Sequence, residues 1–275
     1  MERIMKSVDE RTIQDFGEQW HHFTENEGFY GSVESLEDKC GDLMSVDDIR
    51  GKDVCEIGAG AGRFIGILSR LSPKSILAIE PSKAIEILQS NMESSKVPIR
   101  YINATGEQLE EIESLDYVFS IGVIHHIVDP VPTLQAALKA LRPGGRLLIW
   151  VYGYEGNELY LALVTPLRWA TKRLPDPVVR GLSWILLMLI EVYILLCRFL
   201  PLPLRGYMVK VLGKFTTNKK LLAIFDQLNP AHAKYYKRDE IINVVQSAGF
   251  TNVKTLDRHG YSWSVIGEKP SPSKN

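Results

Sequence analysis

The sequence predicts an α/β protein built on an open, mainly parallel sheet with helices on both faces, and three observations carry that reading. The first is the stretch Asp53 to Arg63, DVCEIGAGAGR, in which a short apolar run holds a carboxylate at Glu56 and is followed by Gly58, Gly60 and Gly62. A run this short, bounded by glycine, fits a strand buried on both faces, and Phe64, Ile65, Ile67, Leu68 and Leu71 continue it at helical spacing. The second is SILAIE, ending at Glu80, another short apolar strand closed by an acid. The third is the continued alternation: apolar runs at Asp116 to Ser120 and Arg146 to Val151 enclose a helical pattern from Pro130 to Leu141. Strands that alternate with helical segments in this way build parallel sheets.

The remaining elements follow in order. Helices are predicted near Val8 to Trp20 and Val33 to Met44, with an aromatic knot of Phe16, Trp20, Phe23, Phe29 and Tyr30 that either folds over a ligand or packs on the domain. Lys83 to Ser95 reads as the second crossover helix, and Ile99 to Ile102 as a strand behind Pro98. Arg142 to Gly145, RPGG, is a sharp turn. Near the end, Asp239 to Ala248 reads as a helix, and Val253 to Leu256 and Tyr261 to Gly267 as two strands. The length of 275 residues suits one enlarged domain or two small ones.

Composition narrows the function. A net charge of −1 gives no basic excess, so nothing recommends a nucleic-acid partner. Three cysteines without a C-x-x-C fit a reducing compartment, and the N-terminus lacks the apolar core of a signal peptide, so a cytoplasmic location is expected. Adjacent His21 and His22 raise a metal reading, but without H-E-x-x-H or a cysteine cluster no metal is expected.

The glycine turn is the chemical centre. Glycines without a Cβ let a ligand touch the backbone, and the helix beginning near Gly62 offers unpaired N–H groups. An acid at the end of the next strand, here Glu80, commonly accepts hydrogen bonds from ribose hydroxyls. Arg63 stands where the dinucleotide fingerprint has its last glycine, which weakens a nicotinamide reading. Glu56 is placed to face a ligand's ammonium group.

Taken together, Glu56 to Arg63, Glu80-Pro81-Ser82, Ala104 to Leu109 (ATGEQL), Asp116 to Ile127 (DYVFSIGVIHHI) and Leu141 to Trp150 (LRPGGRLLIW) resemble, in order and spacing, the motifs of class I S-adenosylmethionine-dependent methyltransferases of the small-molecule type. The resemblance implies a Rossmann-like seven-stranded sheet of order 3-2-1-4-5-7-6 with the last strand antiparallel, and S-adenosylmethionine as cofactor. It places Glu56, Gly58, Ala59, Gly60, Gly62, Arg63 and Phe64 at the amino-acid end of that cofactor. Glu80, Pro81 and Ser82 fall at its ribose, Thr105, Gly106 and Glu107 at its adenine, and Ser120, Ile121 and Gly122 beside its sulfonium. Thr105 occupies a position where aspartate is common. Of the histidines after the fourth strand, His125 is the better candidate for reaching substrate and His126 for bracing a loop. A structural histidine is the alternative for both. His232 and Tyr236 are further catalytic candidates, and Phe16, Trp20, Tyr30, Tyr235, Arg258, His259 and Tyr261 are candidates for the substrate side.

The resemblance also divides the chain into an N-terminal helical cap (1–50), a cofactor-binding core (51–153 and 238–270) and an α-helical, hydrophobic lid insertion (154–237). Within the insertion, Gly181 to Leu200 (GLSWILLMLIEVYILLCRFL) approaches membrane-spanning length, interrupted by Glu191 and Arg198. A single span conflicts with a chain that must return to the same sheet. Burial in the lid is favoured, with a share in an apolar substrate pocket or a homodimer interface, and a helix lying on a bilayer is the alternative. The expected function is methyl transfer to a small, partly apolar acceptor, with oxygen favoured over nitrogen or carbon. The alternatives are a non-catalytic module that binds the cofactor, a membrane or a partner, and an NAD(P)-dependent reductase.

Overall fold

A computed structural model describes residues 9–17, 20, 28–171, 174–228 and 232–271. His21, His22 and Phe23 lie outside the described residues. The seven strands are β1 (Asp53–Ile57), β2 (Ser75–Ile79), β3 (Ile99–Ile102), β4 (Leu115–Ile121), β5 (Leu141–Tyr152), β6 (Thr251–Arg258) and β7 (Ser262–Glu268). They form one sheet of order β3-β2-β1-β4-β5-β7-β6. The β1–β2, β1–β4, β2–β3 and β4–β5 pairs are parallel, and β7 runs antiparallel to both β5 and β6. The expected topology is therefore the observed one.

The sheet is covered on both faces, which is why β1 and β2 read as continuous apolar runs rather than alternating ones. Ile57, Ile79, Val118 and Ile149 point to one side and pack beneath the helices Val131–Ala140 and Arg238–Ser247. Val54, Ile76, Phe119 and Leu148 point to the other and pack against Leu36, Phe64 and Leu88 of the helices Val33–Cys40, Arg63–Arg70 and Ala84–Asn91. The turn after β1 depends on glycine. Gly62 adopts φ +88°, and a Cβ there would sit 2.5 Å from Leu88 Cδ1.

Several boundaries differ from the sequence expectation for identifiable reasons. Residues 9–17 and 20 are helical. The helix from Val33 stops at Cys40 because Gly41, at φ +48°, takes up its C-cap, so it does not reach Met44. The helix expected over Lys83 to Ser95 is confined to Ala84–Asn91. The RPGG turn is absorbed into β5 as an irregularity: Leu141 pairs with Leu115, and the register resumes only at Tyr117 opposite Arg146.

Among its described residues most of the insertion is helical: four α-helices, Glu158–Thr171, Asp176–Phe199, Arg205–Lys210 and Thr217–Leu228, and a 3-10 turn at Leu212–Lys214. The long second helix starts with Pro177 in its first turn, where a missing N–H costs little, and ends before Pro201 and Pro203. Val179, Leu187, Ile224 and Leu228 form a small core of its own. Lys220 pairs with Glu191 at 2.6 Å. The chain leaves and rejoins the sheet at one place, where Tyr236 N–H donates to Tyr152 C=O and Tyr154 N–H to Tyr236 C=O, both at 2.9 Å. Burial, the favoured expectation for 181–200, is corrected. Only 22% of the apolar stretch is buried, and Trp184, Ile185, Met188, Leu189, Val192 and Phe199 are exposed. Its length and composition would suffice to cross a membrane.

Phe119 is fully buried at the centre of β4, with its ring 5.3 Å from that of Phe64 and stacked on Tyr117. Phe119→Ala is expected to lower unfolding stability by about 3–5 kcal/mol, read from urea melts, because the surrounding helices cannot close the cavity. A loss below about 1 kcal/mol would contradict this packing.

Candidate active site

A cavity of ≈ 570 Å³ opens at the carboxyl ends of β1, β2, β4 and β5. Its floor is the glycine turn and its far wall is the insertion. The two acids predicted to face a ligand both line it. Glu80 is buried, and its Oε2 accepts from the Gly60 N–H at 2.7 Å. Its Oε1 accepts from the Ser82 N–H at 3.0 Å and the Ser82 hydroxyl at 2.5 Å. Three of about four lone-pair positions are thus taken, and one on Oε2 is open to a further donor. Asn103 holds the strand end by donating to the Glu80 carbonyl at 2.8 Å.

Glu56 is 2% exposed, and its Oε2 has no hydrogen-bond donor. Burial pushes its carboxyl well above the usual carboxylate range, Arg63 pulls it back down, and Glu80 adds to the rise. An orphaned acid of this kind fits an ammonium group, and the turn beside it fits a ligand lying on its backbone. At Gly58, φ +79°, a Cβ would collide with Val123. At Gly60 it would come within 3.0 Å of Trp20 Nε1, because the N-terminal segment lies across the turn. The group expected from the sequence, S-adenosylmethionine, therefore meets a donor set of the right chemistry: an acid for its ammonium, an acid for its ribose and bare backbone between them.

The other expected cofactor residues separate into two shells. Ala59, Arg63, Phe64, Pro81, Ile121 and Gly122 line the cavity, as do Thr105, Gly106 and Glu107. The Thr105 hydroxyl and N–H both donate to Gln108 Oε1, at 3.0 and 2.9 Å, so its side chain is occupied locally. Gly62, Ser82 and Ser120 stand behind the lining. Gly62 caps a helix beneath Leu88, Ser82 holds Glu80, and fully buried Ser120 donates to the Ile57 carbonyl at 3.3 Å.

His126 braces a loop as expected, but His125, expected nearer the substrate, does not line the cavity. His125 is fully buried behind the wall, its ring 4.0 Å from that of Tyr152 and 4.2 Å from that of His126, with neither nitrogen bonded. Burial holds its imidazole well below the ordinary histidine range. His126 lines the cavity instead, with the Phe16 ring edge-on at 4.7 Å. The strand end, Ile121 and Gly122, runs into a short 3-10 turn at Ile124–His126, and that extra half-turn decides which ring faces inward. His126 Nδ1 lies 2.6 Å from the His232 carbonyl, which can only accept. This contact assigns the proton to Nδ1 and leaves the lone pair on Nε2. Burial depresses the His126 pKa to about 4, so the ring is neutral at physiological pH.

His232 is not in the cavity lining and contributes that carbonyl. Tyr236 is not in the lining: it is 1% exposed and tied to Tyr152 and Tyr154 through its backbone. Tyr235 does line the cavity, stacked on Tyr152 at 5.1 Å and accepting from Arg168 at 3.0 Å. Phe16, Trp20, Tyr30, Arg258 and Tyr261 also line it, whereas His259 turns to Asp38 at 2.8 Å. Sequence reasoning missed Lys39, Tyr152, Tyr160 and Tyr207, all in the lining. No motif marks them, since they arrive from the N-terminal helix, the end of β5 and the insertion. Among the described residues no group of three His, Cys, Asp or Glu is placed to hold a metal ion.

Residues 55–149 match the family described as a methyltransferase domain. A tRNA U34 carboxymethyltransferase from Desulfotalea psychrophila is 31% identical over 124 residues, which cover 42% of this chain and 37% of that protein. A ubiquinone biosynthesis O-methyltransferase from Cereibacter sphaeroides is 28% identical over 135 residues, covering 49% of this chain and 54% of its own. The chain thus spans well under two thirds of either relative. Because one of them is named for a tRNA nucleoside, the expected absence of a nucleic-acid partner finds no support in these likenesses. Among solved structures, an S-adenosylmethionine-dependent methyltransferase from Mesorhizobium loti superposes with a TM-score of 0.52 at 13% identity, covering 88% of this chain and 100% of that one. One from Thermotoga maritima, described as a possible histamine N-methyltransferase, gives 0.51 at 18% identity, covering 96% and 99%. At such identities the likeness is one of fold. Residues 55–149 form a methyltransferase domain, and the chain carries the class I S-adenosylmethionine-dependent methyltransferase fold.

Proposed function

We propose that the protein transfers the methyl group of S-adenosylmethionine to a small, partly apolar acceptor, at oxygen in preference to nitrogen or carbon, and that it takes this acceptor from a lipid surface. The observation that carries the reading is a single cavity running from the glycine turn to the apolar helices of the insertion. Glu56 holds the cofactor's ammonium, Glu80 its ribose, Thr105 to Glu107 its adenine, and Ile121 and Gly122 flank its sulfonium. The cofactor supplies an electrophilic methyl group, so the protein's task is chiefly alignment. His126 is placed to take the acceptor hydroxyl's proton on Nε2. The segment 154–237 acts as a lid, supplying Leu186, Ile190 and Leu222 as apolar wall.

Delivery from a bilayer is supported by the outer side of the same lid. Leu163 lines the cavity yet is 69% exposed, and Trp169, Trp184, Met188 and Phe199 of the same segment are exposed as well. So many exposed apolar side chains on 154–237, with aromatic rings among them and Arg198 and Lys210 exposed in the same segment, suit a helix lying in an anionic interface. The same lid helices thus present apolar side chains inward to an acceptor and outward to lipid. Action on tRNA is the second reading, favoured by the named relative. The reductase alternative is disfavoured by the methyltransferase match and by Arg63 at the fingerprint's last position.

Glu56 gives a test with two opposite signs. Its folded pKa lies above its unfolded value of about 4.3, so its contribution to stability is complete below that pH and is lost as pH rises through the folded pKa. Glu56→Gln should therefore raise the Tm of the ligand-free protein at pH 7 but not at pH 4. The same change should weaken S-adenosylhomocysteine about tenfold or more by calorimetry. Unchanged affinity would remove the acid from the cofactor site.

Incubation with methyl-labelled S-adenosylmethionine and either a solvent-extractable lipid pool or bulk tRNA decides the acceptor class. Label is expected in the lipid fraction. His126→Asn should lower its kcat by roughly 10²–10⁴, with no kcat inflection between pH 6 and 8 in the parent from a group titrating at about 4. Label in tRNA alone reverses the assignment, and cofactor binding without turnover on either favours a non-catalytic module.

Sedimentation with vesicles containing anionic lipid tests the outer face. The protein should pellet at low salt, and Met188→Glu with Phe199→Glu should leave it in the supernatant. A dimer in detergent-free solution that ignores vesicles would give the face to a second copy of this chain instead.

A further inference from the structure

At one end of the cavity, the charges within the protein do not balance. Lys39, on the helix Val33–Cys40, is 7% exposed and lines the cavity. Its ammonium donates to the Ser35 carbonyl at 2.9 Å and the Ser35 hydroxyl at 2.7 Å, both neutral. Among the described residues no carboxylate pairs with it. Arg258, at the end of β6, is 3% exposed and lines the same wall. Its two terminal nitrogens reach Asp38 and the Tyr261 hydroxyl, while its Nε is buried without an acceptor. Asp38, the acid paired with Arg258, is shared with His259 at 2.8 Å. After burial itself, the strongest influences on Lys39 are the positive charges of Arg258 and Arg63, and together they hold its pKa well below the lysine range.

Such a pair is costly to a folded protein. A buried cation with neutral partners keeps most of its desolvation penalty, and replacing it with an apolar side chain of similar volume is commonly neutral or stabilising. Stability does not account for Lys39, and a ligand does. The donors left over call for acceptors: an ammonium has three N–H groups, of which Ser35 takes two, and of the five guanidinium N–H groups of Arg258 the Asp38 and Tyr261 contacts take two, leaving Nε–H and one on each terminal nitrogen. Lys39 and Arg258 face one carboxylate, Asp38, so a monoanionic carboxylate offsets the remaining positive charge, whereas a phosphate monoester dianion would exceed it. Leu212 and Phe215 add apolar lining to the same cavity, and Lys219 lies over the Tyr30 ring.

We propose that Lys39 and Arg258 form a carboxylate-binding subsite for the acceptor, making the substrate class an amphiphile with one carboxylate and an apolar body. This rests on the reading of the cavity as the acceptor site of a methyltransferase. The carboxylate neutralises the excess charge and fixes how far the acceptor enters, so that its hydroxyl is presented toward His126 rather than at random along the apolar wall.

The test uses the full-length protein saturated with S-adenosylhomocysteine and titrated with decanoate or 1-decanol, which share an apolar chain and differ in the head. The parent should bind decanoate about tenfold more tightly than the alcohol, a difference of about 1.4 kcal/mol. Lys39→Met, which keeps the side-chain stem, should abolish that preference, leave decanol and S-adenosylhomocysteine affinities within about twofold, and keep or raise Tm. Arg258→Gln provides a second variant with the same expected loss of preference. Equal binding of acid and alcohol by the parent would overturn the subsite. So would a tenfold loss of S-adenosylhomocysteine affinity in Lys39→Met with decanoate unaffected, since that assigns the cations to the cofactor's own carboxylate. Failure of the parent to bind S-adenosylhomocysteine at all would sink the methyltransferase reading itself, a result distinguishable from either.

Discussion

The hydrogen bond from the Gly60 amide to Glu80 joins the turn after β1 to the end of β2, and the rest of the site is arranged around it. It requires glycine, because Gly60 sits at φ +52° with Trp20 against it, and it requires an acid whose other oxygen is fixed by Ser82. The parallel pairing of Glu56 with Ala78 and Ile57 with Ile79 brings both strand ends to one level. Two acids then border one backbone turn, Glu80 with one lone pair to spare and Glu56 with an orphaned oxygen. That is an expensive arrangement for a folded chain and a suitable one for a ligand carrying both hydroxyls and an ammonium.

The segment 154–237 follows a different logic. It leaves the sheet at the end of β5 and returns through Tyr236, so its helices can grow without disturbing the order of strands. Its amphipathic problem is solved inward by the cavity and by a small core around Leu187 and Ile224, while the outer face is left apolar. A soluble surface would ordinarily carry charge there. Residues 154–237 thus carry apolar side chains toward the cavity and toward the outside alike.

The sheet and the cofactor end were legible in the sequence because their constraints are local. Positive-φ glycines, buried strands and an acid at a strand end each leave a mark within a few residues. The opposite part of the cavity was not legible, because it is assembled from distant segments: Lys39 and Arg258 come to one lining only through the fold, and Tyr152 and Tyr160 carry no motif. The His125–His126 pair shows the limit most plainly. Both residues stand at the right place in the chain, but a single 3-10 turn, invisible to periodicity, turns His126 inward and seals His125 behind Tyr152. The 181–200 helix was recognised as apolar, yet how much of it is covered depends on packing that hydropathy does not encode.

The most direct measurement is a crystal structure with S-adenosylhomocysteine. A ribose hydroxyl should lie about 2.6–3.2 Å from Glu80 Oε2, and the amino nitrogen should sit at hydrogen-bond distance from Glu56. A nucleoside bound elsewhere, with Glu80 still satisfied only by Gly60 and Ser82, would contradict the assignment of this cleft.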